Sequence, residues 1–202
     1  MKVAVIGASG RGGSRITAEL ARRGHQVTAI ARHPEKVEAG PNVTAKKGDL
    51  YDSGISASLA GHDAVVSAVH FLDSDPETLI GAVRASGVKR YFVMGGAGSL
   101  EVAPGVKLID TPEFPAIYKD EAAKGGVFLD RLRGEKELDW TFLSPPALID
   151  FGARTGQFRL GKDQLLVDAK GDSKISFEDF AVAAVDELEK PKHSRQRFTV
   201  GY

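Results

Sequence analysis

The sequence near the amino terminus reads Val3-Ala4-Val5-Ile6-Gly7-Ala8-Ser9-Gly10-Arg11-Gly12-Gly13, four apolar residues followed at once by a glycine-rich turn. Continuous apolar runs of this length are typical of strands that are buried on both faces. The segment after the turn, Gly10 to Arg23, carries Ile16 and Leu20 four residues apart and stops at a glycine, which predicts an amphipathic helix. The stretch therefore predicts a strand, a tight turn and a helix in direct succession.

Three glycines of this turn lie at three-residue spacing, and each suits a different task in binding a dinucleotide. Gly7 allows the sharp turn, Gly10 lets the backbone approach a pyrophosphate, and Gly13 lets the helix pack closely on the strand. An ordinary turn between a strand and a helix would need one glycine, whereas this one has four in seven residues. We therefore predict that a dinucleotide cofactor binds at Gly7, Ser9, Gly10, Arg11, Gly12 and Gly13.

Short apolar runs alternate with helical patterns through the first two-thirds of the chain, as in a parallel sheet that is covered by helices. The runs predict strands at Val3–Ile6, Val27–Ile30, Val43–Lys47, Ala64–Val69, Tyr91–Met94, Trp140–Leu143 and Phe198–Val200. Helical patterns fill the intervals at Gly10–Arg23, Ser53–Leu59, Asp75–Ser86 and Asp120–Arg133. We therefore predict an α/β fold, a doubly wound parallel sheet between two layers of helices.

The last part of the chain departs from this alternation. Leu100 to Tyr118 contains three prolines and no sustained period, which predicts a long ordered loop or flap. Phe158–Leu160 and Leu165–Val167 predict a hairpin outside the main sheet, and Ser176 is the predicted N-cap of a last helix. Since no linker divides the chain, we predict one domain, residues 1–202, with a small C-terminal elaboration at about 145–202.

The residue after the second predicted strand bears on the choice of cofactor. A site that prefers NAD(H) places an Asp or Glu there to bind the ribose hydroxyls, but this chain has Ala31-Arg32-His33. A guanidinium can pair with a 2′-phosphate through two hydrogen bonds, and Arg11 is a candidate for a second positive charge nearby. We therefore predict NADP(H) in preference to NAD(H). The alternative is that Arg32 is an ordinary surface arginine.

Residues that follow the other predicted strands are further candidates, because ligands of parallel sheets bind beyond the carboxyl ends of the strands. We expect the first two of them beside the adenine and the rest beside the ribose and the nicotinamide. They are Asp49, Leu50, Ala68, Val69, His70, Gly95, Gly96, Ala97 and Pro145. Each is also an ordinary residue for a strand end, and only their coincidence favours a site.

The composition argues against several other classes of protein. With 27 Lys and Arg against 27 Asp and Glu the net charge is zero, which disfavours nucleic acid as the main partner. The chain has no cysteine and its five histidines lack paired spacing, so we expect neither a disulfide framework nor a metal site. No apolar run is long enough to cross a membrane, and we expect a cytoplasmic protein.

Several segments together resemble the atypical short-chain dehydrogenase/reductase superfamily, and within it the NAD(P)H-flavin reductase group of the NmrA-like and biliverdin-reductase-B-like branch. These segments are the loop Gly7–Gly13, Gly48–Leu50, Val93–Leu100, Asp139–Pro145 and Arg197–Tyr202. The resemblance covers essentially the whole chain. It implies a Rossmann fold that binds NADP(H) and transfers hydride to a small-molecule acceptor.

The chain departs from that resemblance at the residues that would handle protons. Many superfamily members carry a Tyr with a Lys four residues later, but here Tyr118 is followed at that distance by Ala122. In alignment, Gly96 and Ala147 replace the Ser and His of biliverdin-reductase-B-like enzymes, which disfavours tetrapyrrole reduction. A flavin (FMN or FAD) or a quinone remains a suitable acceptor, because its proton can come from water.

The acceptor side of the predicted site is apolar. Phe71, Phe114 and Pro115 are candidate walls, and Tyr118 is both a candidate wall and the one candidate catalytic residue. A second hypothesis is a redox sensor of NmrA type, which binds NADP(H) and passes its oxidation state to a protein partner. The missing Tyr–Lys pair favours that hypothesis. The sequence leaves both a monomer and a homodimer open.

Overall fold

The structure is a computed structural model that describes residues 1–202. In chain order its strands are β1 (Lys2–Ile6), β2 (Gln26–Ala31), β3 (Val43–Lys47), β4 (Ala64–Ser67), β5 (Arg90–Met94), β6 (Glu101–Ala103), β7 (Val106–Lys107), β8 (Asp139–Ser144), β9 (Leu148–Asp150), β10 (Arg159–Gly161), β11 (Lys174–Ser176) and β12 (Gln196–Gly201). Its α-helices are α1 (Arg11–Arg22), α2 (Ile55–Leu59), α3 (Pro76–Ala85), α4 (Lys119–Arg133) and α5 (Phe177–Glu189).

Eight strands form one sheet in the spatial order β10-β12-β8-β5-β4-β1-β2-β3. All neighbours are parallel except β10, which is antiparallel to β12. The chain builds outwards from β1 to β3 and then crosses back to β4, so the strand order reverses beside β1. This topology confirms the predicted Rossmann-type α/β fold. The predicted strands of the sheet are all present, and their ends shift by at most two residues.

Helices cover both faces of the sheet. On one face α1 packs against α5, with Leu20 of α1 and Phe180 of α5 fully buried between them and the sheet. On the other face α2, α3 and α4 bury a second core that contains Leu59, Ile80 and Phe128. Because apolar side chains must fill both faces, the central strands consist of continuous apolar residues. None of the five α-helices combines the length and the hydrophobicity that a membrane span requires.

The predicted hairpin of Phe158–Leu160 with Leu165–Val167 is wrong. β10 pairs instead with β12 in the main sheet, and the backbone N–H of Leu165 donates to the carbonyl of Glu101 at 2.8 Å. Without β10, β12 would be an edge strand with unpaired backbone groups, so this pairing protects the edge. Two strands that the sequence pattern missed, β9 and β11, pair in parallel outside the main sheet.

The segment Leu100–Tyr118 contains more regular structure than the predicted loop. β6 and β7 form an antiparallel hairpin, and two short 3₁₀ helices follow at Leu108–Asp110 and Ala116–Tyr118. The hairpin turn is Ala103-Pro104-Gly105-Val106, in which proline is second and a glycine with φ of +75° is third. That order is typical of a type II turn, a local signal that the lack of a sustained period obscured.

Candidate functional site

A cleft of about 1120 Å³ opens at the carboxyl edge of the main sheet. Its walls come from the turns after β1, β2, β3, β4, β5 and β8, from the segment Leu100–Tyr118 and from the start of α4. β9 and Phe177, the first residue of α5, complete the wall on the side of the C-terminal elaboration. Doubly wound sheets bind their ligands in a crevice at this position, where the strand order reverses.

The cleft brings together nearly all the residues predicted to contact a cofactor or an acceptor. Those that line it are Gly7, Ser9, Gly10, Arg11, Gly12, Arg32, Asp49, Leu50, Ala68, Val69, His70, Phe71, Gly95, Gly96, Ala97, Phe114, Pro115, Tyr118 and Pro145. Gly13 does not line the cleft. A Cβ on Gly13 would stand 2.1 Å from the carbonyl oxygen of Gly7, so this glycine allows α1 to pack against the turn.

Gly7 shapes the turn that ends β1. Its φ of +81° is a conformation that side chains other than glycine rarely adopt, and a Cβ on it would stand 2.4 Å from the carbonyl oxygen of Ala68. The N–H groups of Gly7 and Ala8 both donate to the carbonyl of Ile30, at 3.0 and 3.2 Å. The turn is therefore fixed against β2 and against the end of β4 at once.

The start of α1 fits a phosphate group. Gly10 is the N-cap, no side chain caps the helix, and its first turn holds no acidic residue. The backbone N–H groups of Ser9, Arg11 and Gly12 donate to no acceptor within the protein. Free N–H groups at a helix N-terminus, together with the helix dipole, favour an anion. These donors fit the pyrophosphate of a dinucleotide.

Arg32, the residue that follows β2, is an unpaired cation at the rim of the cleft. Its side chain is exposed and takes part in no salt bridge within the protein. Glu35, an acidic residue shortly after it, is engaged by the ring of His33 at 3.0 Å. A free guanidinium therefore occupies the position at which an NAD(H) site carries its acidic residue.

Arg11 differs from Arg32 because its charge is already engaged. Its guanidinium forms an ion pair with Asp150 at the end of β9. The Cζ atom of the same guanidinium lies 4.7 Å from the ring centre of Phe151 and 4.9 Å from that of Phe177. Cation–aromatic contacts of this kind hold the side chain against the C-terminal elaboration. The guanidinium of Arg11, the candidate for a second positive charge near the 2′-phosphate, is therefore paired with Asp150 instead. The backbone N–H of Arg11 stays free for the pyrophosphate.

Asp49 and Leu50 line the cleft just beyond β3. Oδ1 of Asp49 accepts a hydrogen bond from the N–H of Tyr51 at 3.0 Å, and no protein donor reaches Oδ2. The predicted role of Asp49, accepting a hydrogen bond from an adenine amine, is compatible with that free oxygen. The approach of the neighbouring strands requires glycine at residue 48, because a Cβ there would stand 2.9 Å from Cγ2 of Ile30.

The end of the cleft beside β5 is apolar. Gly95 lies so close to Phe142 that a Cβ on it would stand 2.2 Å from the ring. Phe71 is buried, and its ring centre lies 5.4 Å from that of Phe128 and 6.1 Å from that of Phe142. Phe71 is therefore chiefly a core residue, and its predicted role as an acceptor wall is limited to the part that lines the cleft.

Tyr118 lines the cleft at the end of a 3₁₀ helix and is 58% exposed. Ala122, four residues later, contacts the neighbourhood of Gly98, where an added Cβ would stand 2.7 Å from the Cβ of Ala122. Lys119 and Lys124 do not line the cleft, and neither does any other lysine. The structure therefore brings no ammonium group into the cleft with the phenol.

Glu121 is a residue of the cleft that sequence reasoning missed. Its carboxylate accepts hydrogen bonds from the N–H groups of Phe71 at 2.8 Å and Leu72 at 2.9 Å. It also lies 3.5 Å from Nδ1 of His70. Because 50 residues separate Phe71 from Glu121, no local pattern indicates this contact. It forms only when α4 docks beside the turn that follows β4.

Known proteins are similar to this chain in both sequence and fold. A family model described as NAD(P)H-binding matches residues 7–191. An uncharacterised protein of Bacillus subtilis is 42% identical over 210 residues, which span 99% of this chain and 98% of that protein.

Two solved structures are similar along the whole chain. A candidate epimerase of Bacteroides thetaiotaomicron is 44% identical, with a TM-score of 0.95 over 100% of this chain and 96% of that chain. A candidate NADH-flavin reductase of Streptococcus pneumoniae is 37% identical, with a TM-score of 0.84 over 100% of this chain and 99% of that chain. These matches confirm the part of the predicted resemblance that concerns NAD(P)H binding and likeness to an NAD(P)H-flavin reductase. Because the family model spans most of its length, this chain belongs to the NAD(P)H-binding family.

Proposed function

We propose that this protein is an NADPH-dependent oxidoreductase that transfers hydride from the nicotinamide to a flavin or a quinone-like acceptor. The observation that carries the proposal is the free guanidinium of Arg32 at the rim of a cleft in which the start of α1 fits a pyrophosphate. A dinucleotide bound there places its adenosine beside β2 and its nicotinamide beside β5.

Arg32 supports NADPH over NADH for a physical reason. An unpaired guanidinium can form a bidentate, charge-assisted contact with a 2′-phosphate without giving up an existing partner. NADH offers two neutral hydroxyls in the same place and gains less from a cation. The name of the Streptococcus pneumoniae protein specifies NADH for that protein. In this chain the residue after β2 supports the phosphorylated cofactor.

The apolar end of the cleft supports a flat aromatic acceptor. Gly96 and Ala97 leave room for a ring, and Phe114 and Pro115 offer apolar walls. Since no lysine accompanies Tyr118 in the cleft, the exchange of a proton with an alcohol or carbonyl group, which a sugar epimerase requires, has little support. A flavin or quinone takes hydride into a delocalised ring, so the protein contributes mainly orientation and exclusion of water.

Steady-state oxidation of NADPH and NADH, followed by absorbance, tests this function. The acceptors are FMN, FAD and a soluble naphthoquinone, and a panel of aldehydes and ketones is the control. We expect turnover only when a flavin or the quinone is present, with kcat/KM for NADPH at least about 10-fold above that for NADH, a difference of ~1.4 kcal/mol. Turnover of the carbonyl panel alone would contradict the proposal.

A second candidate function is a redox sensor that binds NADP(H) and passes its oxidation state to a protein partner. The absence of lysine from the cleft favours it, because the Tyr–Lys pair of many catalytic superfamily members is missing. Submicromolar binding of NADPH and NADP⁺, with no oxidation across all acceptors, would favour the sensor over the reductase.

A further inference from the structure

His70 is the one histidine that lines the cleft, and Glu121 lies against it. The imidazole is 81% exposed, with Nδ1 at 3.5 Å from Oε1 of Glu121. The two oxygens of that carboxylate also accept hydrogen bonds from the N–H groups of Phe71 and Leu72, at 2.8 and 2.9 Å. Glu121 is thus held in place by the backbone that follows His70, while Nε2 of His70 has no partner within the protein.

We propose that His70 is a catalytic residue that protonates the reduced acceptor, and that Glu121 is the positioning residue that orients its ring. The inference rests on the proposed reductase function and deepens it by adding the source of the second hydrogen. A two-electron acceptor that receives hydride also needs a proton, and general acids in a site commonly supply it. A carboxylate on one ring nitrogen directs the other nitrogen to its partner.

The remaining titratable groups near this end of the cleft suit the role less well. Besides Glu121, they are Asp73, Glu113, Tyr118 and Tyr51, whose hydroxyl donates to the carbonyl of Asp73 at 3.3 Å. Carboxylic acids are ordinarily ionised at neutral pH, and a phenol ordinarily releases its proton only near pH ~10. An imidazole both holds and releases a proton in the neutral range.

The proposed step balances in electrons and protons. The C–H bond at nicotinamide C4 breaks, and its hydrogen and electron pair pass to the acceptor. NADPH is thereby oxidised to NADP⁺, and the acceptor is reduced by two electrons. The N–H bond at Nε2 of the His70 imidazolium then breaks, and that proton passes to the acceptor oxygen or nitrogen that carries the new charge. Solvent returns a proton to the imidazole.

The kinetic test uses the full chain with NADPH and either FMN or a soluble naphthoquinone. For His70→Asn we expect kcat to fall at least about 10-fold while the Kd for NADPH changes less than about twofold. His25→Asn is the matched control, because His25 pairs with Glu189 and does not line the cleft. For Glu121→Gln we expect a smaller fall in kcat with an unchanged KM for NADPH.

Chemical rescue separates a proton donor from a structural residue. Adding imidazole to His70→Ala is expected to restore at least a third of the lost rate, whereas imidazole leaves Glu121→Gln unchanged. If His70→Asn folds poorly, His70→Ala with and without imidazole gives the same comparison within one protein. Full activity of a folded His70→Ala variant would overturn the inference.

A second measurement requires no turnover. Diethylpyrocarbonate modifies exposed imidazoles, and mass spectrometry reports the modification of each histidine separately. In the presence of NADP⁺, we expect FMN to cover His70 and to slow its modification at least about threefold. Protection of this size requires only that FMN occupy its site to a moderate degree. FMN should not affect His33, which is also exposed but does not line the cleft. Equal modification of His70 with and without FMN would overturn the inference.

Failure of the inference can be told from failure of the proposed function. Wild-type turnover with equal rates in the His70 variants would overturn the role of His70 and leave the reductase standing. No turnover by the wild-type protein with any acceptor would overturn both.

Discussion

The glycine-rich loop and the C-terminal elaboration (residues 145–202) meet where Arg11 pairs with Asp150, yet they are held in place by different interactions. In the loop, close backbone contacts at Gly7 and Gly13 fix the turn and leave amide groups free for a ligand. In the elaboration, short strands and long irregular stretches are held by hydrogen bonds to buried polar side chains. One region keeps its donors free, and the other uses them internally.

Asp179 of α5 shows how the elaboration is held. Its carboxylate is fully buried and accepts hydrogen bonds from the hydroxyl of Thr155 at 2.6 Å, the N–H of Gly156 at 2.7 Å and the phenol of Tyr202 at 2.8 Å. Burial raises the pKa of the Tyr202 phenol above its usual range, so the phenol remains a donor. The comparison teaches that changes in the loop should weaken cofactor binding, whereas changes around Asp179 should lower stability and leave cofactor binding unchanged.

Gly13→Ala should have the largest effect. The new Cβ would stand 2.1 Å from the backbone oxygen of Gly7, so α1 would have to move away from the turn. We expect a loss of about 3 kcal/mol in the free energy of unfolding and at least a 100-fold weaker binding of NADPH, by about 2.7 kcal/mol. Urea unfolding and a fluorescence titration measure the two quantities.

Gly12→Ala is the matched control for this prediction. Its Cβ would meet the flexible side chain of Met94 rather than backbone, so we expect a smaller loss of both stability and affinity. If Gly13→Ala bound NADPH as tightly as Gly12→Ala, the close contact between Gly13 and Gly7 would not be needed to hold the loop in the conformation that binds NADPH.

Asp179→Ala should destabilise the protein without changing the cofactor site. Removing a buried carboxylate that accepts three hydrogen bonds leaves its donors unsatisfied, and we expect a loss of about 2.5 kcal/mol in the free energy of unfolding. The Kd for NADPH should change less than about twofold. Asp172→Ala, at an exposed carboxylate paired with Lys174, is the control and should change stability by less than about 0.5 kcal/mol. Similar stability of the two variants would contradict the comparison.

Glu19 links α1, the helix that follows the glycine-rich loop, to the elaboration. Its carboxylate is buried and contacts Arg22 at 2.8 Å, Arg23 at 2.7 Å and, from the elaboration, Arg154 at 2.9 Å. Burial by itself raises the pKa of Glu19, but hydrogen bonds from the three guanidinium groups outweigh it and hold the pKa well below its usual range.

That pKa shift sets the sign of a pH dependence. A carboxyl whose pKa is lower in the folded than in the unfolded protein stabilises the fold above the unfolded pKa, and this contribution is lost as the pH falls. We expect stability to decline below about pH 4.3, and Glu19→Gln to cost about 2 kcal/mol at neutral pH and to reduce the acid decline. Thermal unfolding across pH, with the exposed Glu38→Gln as control, tests this. An unchanged acid decline in Glu19→Gln would be the opposing result.

Much of the cofactor half could be predicted from the sequence because its signals are local. β1, the glycine-rich turn and α1 follow one another without interruption, and periodicity reports each of them directly. The N-cap at Ser176 was equally local, since its side chain accepts a hydrogen bond from the N–H of Asp179 at 3.0 Å. The residues that follow the parallel strands line the cleft because the carboxyl ends of these strands lie at one edge of the sheet.

The elaboration and part of the site could not be predicted, because their partners lie far apart in the chain. β10 and β9 have three residues each and show no period, and Leu160 of β10 pairs with Val200. Arg11 pairs with Asp150, which lies 139 residues away in the sequence, and Glu121 accepts a hydrogen bond from Phe71, which lies 50 residues away. Only folding of the sheet brings these residues close together in space.

Titration of NADPH and NADH against the wild-type protein and Arg32→Glu tests the choice of cofactor most directly. Arg133→Glu, at an exposed arginine of α4 that does not line the cleft, is the control. We expect the wild-type and control proteins to bind NADPH at least about 10-fold more tightly than NADH, by ~1.4 kcal/mol, and Arg32→Glu to abolish or reverse that preference. Equal weakening of both dinucleotides by Arg32→Glu, or no weakening of either, would contradict a role of Arg32 in binding the 2′-phosphate.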